Sequence, residues 1–154
     1  SLAMLQQAVE KCPESLWSDA SYANPFWRVA YHALIYTHFY LGQTEETFIP
    51  WDKHEEGMQL LGSEAPAPEA EPYSKEEVLS YMADCLEQVE VQVDAMELAA
   101  ESGFDWLPFN KLELQFYNIR HVQHHTGELS ERLGAHGEVE VGWVGLKWCF
   151  LRHT

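Results

Sequence analysis

Apolar positions along the chain gather into four helix-length stretches separated by glycine, proline and acidic segments. The first runs from about Leu2 to Lys11 and stops before Pro13, whose ring and missing N–H cannot continue a helix interior. The second opens with Asn24 as N-cap and Pro25 at the first helical position, then runs to Leu41, where Gly42 closes it. It is apolar or aromatic almost all round, the pattern of a central, buried helix. The third starts with a capping box, Ser74 followed by Glu77, and carries Val78, Met82, Cys85, Val89, Val93 and Met96 at alternating spacings of four and three. After a turn marked by Gly103 and Pro108, the fourth covers about Asn110 to Leu133 and is closed by Gly134.

Residues 43 to 73 hold Pro50, Gly57, Gly62 and then a stretch rich in proline, alanine and glutamate, which predicts a long crossover whose second half is a linker. The tail from Glu138 to Leu151 places Val139, Val141, Trp143 and Val144 between glycines, a small strand-like element that forms either a short hairpin or a strap over the bundle. The expected fold is therefore all-α: one domain over residues 1–154, an up-down four-helix bundle with a long crossover between its second and third helices.

Charge narrows the partners. The chain has 25 acidic against 9 basic residues and a formal charge of -16, so a phosphate backbone would be repelled, and no basic patch offsets this. The longest apolar runs are a few residues, far short of the roughly 20 that span a bilayer. Neither nucleic acid nor membrane is expected. Glu76, Asp84, Glu87, Glu90 and Asp94 lie on the outer face of the third helix and read as a solvated surface. Cys12, Cys85 and Cys149 are odd in number and far apart, which fits reduced thiols in small buried niches better than a disulfide framework. With no secretory pattern at the start of the sequence, a cytoplasmic location is expected.

The histidines offer the chemistry. His121 and His125 are four residues apart on the fourth helix, so their Cβ atoms should lie about 5–6 Å apart and both rings could converge on one ion. On a helical wheel with His121 as origin, His125 falls at about 40° and Leu114 at about 20°. The core arc continues through Leu129, Val122, Leu133, Ile119 and Leu112, while His124 falls opposite with Arg120 and Glu131. Glu128 sits near the His121 line, as an acceptor for an imidazole N–H, as a base beside a metal, or as an exposed helix residue. On the second helix His32 shares an arc with Val29, Tyr36, Phe39 and Tyr40, and His38 shares another with Trp27, Tyr31 and Ile35. Periodicity does not choose between them, and for each a buried histidine bonded to a tyrosine is the plain structural alternative.

Two segments carry a family likeness: Trp27-Arg28-Val29-Ala30-Tyr31-His32-Ala33-Leu34, and His121-Val122-Gln123-His124-His125-Thr126-Gly127-Glu128-Leu129. In sequence and order they resemble the DinB family of metal-dependent proteins, related to YfiT-like enzymes. The resemblance implies that His32, His121 and His125 are the metal ligands. Glu128 stands where the family usually has Gln and Thr126 where it often has Arg, departures that bear on the polarity of the pocket rather than on the ligands.

Three neutral imidazoles leave a divalent transition metal at least one open position, as in a catalytic site. Zinc is the first expectation, with nickel or ferrous iron as alternatives; the lack of clustered oxygen ligands disfavours magnesium and calcium. The resemblance implies a thiol S-transferase or isomerase that activates a low-molecular-weight thiol, with Glu128 or Tyr36 handling a proton. A metal-dependent hydrolase is the neighbouring enzyme class, and a non-catalytic metal-binding or interaction protein is the competing one. A homodimer is implied by the resemblance alone.

Overall fold

The computed structural model describes residues 1–62, 71–137 and 139–145, and within them all regular structure is helical. In chain order the helices are α1 (Leu2–Lys11), α2 (Glu14–Trp17), α3 (Phe26–Leu41), α4 (Lys75–Ala95) and α5 (Lys111–Gly137). The four long ones are the expected four. The single turn of α2 follows Pro13 and serves packing: Leu16 and Trp17 are buried, and the Trp17 indole donates to the Tyr73 carbonyl at 2.9 Å.

Local chemistry explains the helix starts. Ser74 Oγ accepts from the Glu77 amide at 3.2 Å while a Glu77 carboxylate oxygen accepts from the Ser74 amide at 2.9 Å, closing the capping box. Asn110 and Glu113 make the same reciprocal pair ahead of α5, both bonds at 2.9 Å. At α3 the expectation shifts by one residue. Pro25, not Asn24, is the N-cap, because the Asn24 side chain accepts the Gly62 amide at 3.3 Å and is drawn to the crossover instead. Nor does Gly134 end α5. The helix runs on to Gly137, since a glycine weakens a helix by only about 1 kcal/mol and nothing packs against this one.

Cross-contacts set the direction of each helix. Lys75 Nζ donates to the Cys12 carbonyl at 2.6 Å, so α1 ends where α4 begins. Gln115 donates to the Tyr40 carbonyl and Arg132 to the Asn24 carbonyl, both at 2.8 Å, so α3 and α5 are antiparallel. Contacts between Tyr31 and Tyr73 at one end, and between Gln43 and Gln92 at the other, make α3 and α4 parallel. The order is thus up-down-down-up, with α3 and α1 facing each other across the bundle and each packing on both α4 and α5. Parallel neighbours need the long crossover, because the chain must return along the length of α3, about 24 Å, before α4 can begin.

That crossover is structured on the near side. Met58 is fully buried, Trp51 stacks on Tyr81 with ring centroids 4.6 Å apart, and Arg28 donates to the Gly57 carbonyl at 3.2 Å. Most of the Pro-rich linker lies outside the described residues, as do Glu138, Trp148 and Cys149. Residues 139–145 form a strap and no strand. The Gln7 side chain bonds both the amide and the carbonyl of Gly142, at 3.2 and 3.3 Å, holding the strap on α1.

The core is centred on α3, where Phe26, Val29, Ala30, Tyr31, Ala33 and Leu34 are fully buried. The apolar lines of α4 and α5 are buried only in part. Leu112, Ile119 and Val93 are 42%, 51% and 44% exposed, against the expectation that all three face the core. The reason is length: α1 has 10 residues where α4 and α5 have 21 and 27, so it covers only part of the groove between them. The uncovered part is an apolar cavity of about 400 Å³. Cys12 and Cys85 are buried free thiols, as expected. No described helix is long and apolar enough to cross a membrane.

Gly103 joins the end of α3 to the start of α5. Its φ is +86°, and a Cβ there would lie 2.3 Å from the Gln43 carbonyl oxygen, the atom that also accepts from Lys111 Nζ at 2.6 Å. Gly57 has a similar φ of +87° but open space around it. Gly57→Ala should therefore cost only the backbone term of about 1–2 kcal/mol, whereas Gly103→Ala adds a backbone clash and should lower Tm by clearly more. Equal losses in thermal unfolding would overturn this account.

Candidate metal centre

Three histidines meet where α3 crosses α5. One helical turn separates His121 from His125, which puts them on one face of α5, and the antiparallel packing of α3 sets His32 opposite the pair. The Nε2 atoms of His32 and His121 are 2.9 Å apart. Ring centroids are separated by 4.9 Å for His32 and His121, 4.6 Å for His32 and His125, and 4.7 Å for His121 and His125. One nitrogen of each ring lies within 4.8 Å of the others, so the cluster could hold a metal ion.

Outer contacts turn two of the rings inward. His32 Nδ1 is 2.6 Å from the Gln59 carbonyl oxygen, which can only accept, so Nδ1 carries the proton and Nε2 presents a lone pair to the cluster. His125 Nδ1 faces a Glu128 carboxylate oxygen at 3.4 Å, a long contact that again leaves Nε2 for the centre. A hydrogen bond from the far nitrogen of each ring is the usual support of a metal-binding imidazole. The second oxygen of Glu128 pairs with Arg132, whose other guanidinium nitrogen donates to the Asn24 carbonyl at 2.8 Å and whose head lies 4.4 Å from the Tyr22 ring centroid.

Electrostatics keep the rings neutral. Burial pushes each of the three pKa values down from 6.5 to about 4. Neighbouring imidazoles reinforce this, His125 acting on His32, His32 and His124 on His121, and His121 and His124 on His125. The Gln59 carbonyl and the Glu128 carboxylate oppose it and do not prevail. Deprotonated nitrogens are what a metal requires.

The donor set fits a divalent transition metal. Nitrogen ligands about 2.0–2.1 Å from a tetrahedral ion lie roughly 3.3 Å from one another, and the closest pair here is at 2.9 Å. His121 Nδ1 is buried without a hydrogen-bond partner, a cost of about 1–3 kcal/mol that a core histidine would normally avoid. His38 shows the contrast: it lies on the other side of α3, its Nδ1 is 3.0 Å from the Tyr81 hydroxyl and its ring abuts Phe48. The choice that periodicity left open between His32 and His38 is made by packing. His124 is exposed, as its place on the wheel required, although it belongs with His125 and Glu128 to a second group of potential ligands.

Tyr36 lines the centre with ring centroids 4.7 Å from His32 and 5.5 Å from His121. Burial, aided by Tyr117, pushes its pKa above the ordinary value of 10, so it is a phenol at neutral pH. His32, Tyr36 and His121 are half-buried, which gives the cluster an edge toward solvent. Two of its supports escaped the sequence reading. The Gln59 carbonyl is main chain and has no signature, whereas Arg132, four residues after Glu128, follows a spacing that reads as a helical ion pair.

Compared with known families, residues 1–129 match the DinB superfamily, a span that includes every residue of the triad. No curated protein and no solved structure gives a significant match.

The depressed histidine pKa values have a thermodynamic consequence for the metal-free protein. Between about pH 4 and 6.5 the unfolded chain binds more protons than the folded one, so the histidine contribution is complete above 6.5 and declines as pH falls toward 4. Thermal unfolding from about pH 7 down to pH 4.5 should show Tm falling more steeply for the unsubstituted protein than for His121→Ala. Parallel slopes would mean that the rings are not held neutral by the fold.

Proposed function

The chain belongs to the DinB superfamily, and on that premise we propose that His32, His121 and His125 bind one divalent transition-metal ion, zinc foremost, at which a small-molecule thiol is activated for S-transfer or isomerisation. The observation that carries the reading is the convergence of three neutral imidazoles, two of them turned inward by outer contacts to Gln59 and Glu128. His32, His121 and His125 would hold the ion, and its Lewis acidity would lower the pKa of a thiol or water bound beside them.

The chain's own groups divide the remaining tasks. To Tyr36, a protonated phenol packed against two of the ligand rings, we assign donation of a hydrogen bond or a proton to a bound molecule. Glu128 is engaged by Arg132 on one oxygen and by His125 on the other, which supports a positioning role over that of a free base. Exposed Leu112, Phe116 and Ile119 on α5, with Val93 and Leu98 beside them, form an apolar surface that supports a homodimer; light scattering at twice the chain mass is its check.

Elemental analysis of the purified protein beside His121→Ala tests the metal reading. We expect about one equivalent of a transition metal in the unsubstituted protein, lost in His121→Ala and kept in His124→Ala and His38→Ala. No metal after reconstitution with zinc, nickel and ferrous iron would turn the triad into core residues. Turnover of thiols with electrophiles tests the chemistry, with Tyr36→Phe expected to lower kcat by about 10²–10⁴-fold if Tyr36 handles a proton. A loaded protein that turns over water-labile substrates and no thiol would move the assignment to a hydrolase.

A further inference from the structure

Arg132 is a cation placed where solvent barely reaches it, with a side chain only 8% exposed. A buried charge is tolerated when it is paired and fully hydrogen-bonded. Here three partners satisfy it, and they lead in two directions. Toward the centre, Arg132 pairs with Glu128 Oε1, and the other oxygen, Oε2, faces His125 Nδ1. His125, Glu128 and Arg132 are spaced by three and four residues, so they form one continuous stripe along α5. Away from the centre, Arg132 donates to the Asn24 carbonyl and lies over Tyr22, both in the loop that leads into α3.

Asn24 continues the path. Its side-chain oxygen accepts from the Gly62 amide at 3.3 Å, and Gly62 lies three residues beyond Gln59, whose carbonyl holds His32. The outer contacts of His125 and of His32 are thus joined, from Glu128 through Arg132, Asn24 and Gly62 to Gln59. A staple between α5 and the preceding loop would require only the Asn24 and Tyr22 contacts. The fork to Glu128, and the use of the remaining Glu128 oxygen by a triad ring, go beyond that need.

From this geometry we infer that Arg132 is a positioning residue of the metal centre: acting through Glu128 it orients His125, and through Asn24 it ties that orientation to the crossover residues that hold His32. The inference rests on the metal reading given above. Two consequences follow. Losing Arg132 weakens metal binding although it is no ligand, and binding of the ion steadies residues 57–62, which contribute no side chain to the triad.

The test is a double-mutant cycle on zinc affinity, measured by competition with a chromogenic chelator, in the unsubstituted protein, Arg132→Met, Glu128→Ala and the double variant. Each single variant should bind zinc about 10–100-fold more weakly, the usual effect of removing an outer partner of a ligand. The double variant should be no weaker than Glu128→Ala alone, because Arg132 acts through that carboxylate. An unchanged affinity in Arg132→Met, or a loss undiminished by Glu128→Ala, would reduce Arg132 to a staple and overturn the inference. Should Arg132→Met fail to fold, hydrogen exchange of the unsubstituted protein decides: zinc should slow exchange at the Gly62 amide, and no change there overturns the coupling. If the unsubstituted protein binds no zinc at all, it is the metal reading that falls.

Discussion

The parallel alignment of α3 and α4 is the constraint on which the rest of the molecule depends. Two parallel neighbours cannot be joined by a turn, so the chain has to travel back along α3 before α4 starts. On the way it lays Trp51 and Met58 against the core and brings the Gln59 carbonyl to 2.6 Å from His32. A helix-to-helix turn in its place would leave that imidazole without the acceptor that sets its tautomer. The crossover is therefore part of the centre as well as a connection.

Much of this could be read from the residues themselves. The four long helices follow from apolar spacing, and the capping box at Ser74 and Glu77 fixes one start to the residue. The pairing of His121 with His125 follows from helical repeat, and the solvated position of His124 from the same wheel. Where the reading stopped or slipped, a long-range contact decides. His32 and His38 are equivalent to any periodicity because α3 is buried on nearly every side, and only the side on which α5 packs separates them. Leu112 and Ile119 continue an apolar arc, but burial needs a partner helix, and α1 is too short to supply one there. Asn24 has the chemistry of a cap and is diverted by the Gly62 amide. A main-chain acceptor such as Gln59 is invisible in principle, since every residue carries the same carbonyl.

The charge of the chain matters less to the centre than its size suggests. A net charge of -16 would by itself favour protonated histidines, yet burial outweighs it at all three rings. The acidic residues of α4 stand on its outer face, exposed to water and ions that screen them over about 10 Å. Glu128, the carboxylate nearest the rings, is matched by the guanidinium of Arg132. The centre is thus locally balanced inside a strongly anionic molecule.

The two outer supports of the triad differ in what kind of change they can survive over generations. His32 depends on a peptide carbonyl, so residue 59 can drift through many identities while the number of residues between Trp51 and Gly62 cannot. His125 depends on a carboxylate and the guanidinium behind it, so there the identities are constrained and must alter as a pair, whereas the helical spacing is secured by α5 itself. The support of His32 is the more vulnerable to insertion and deletion, that of His125 to substitution.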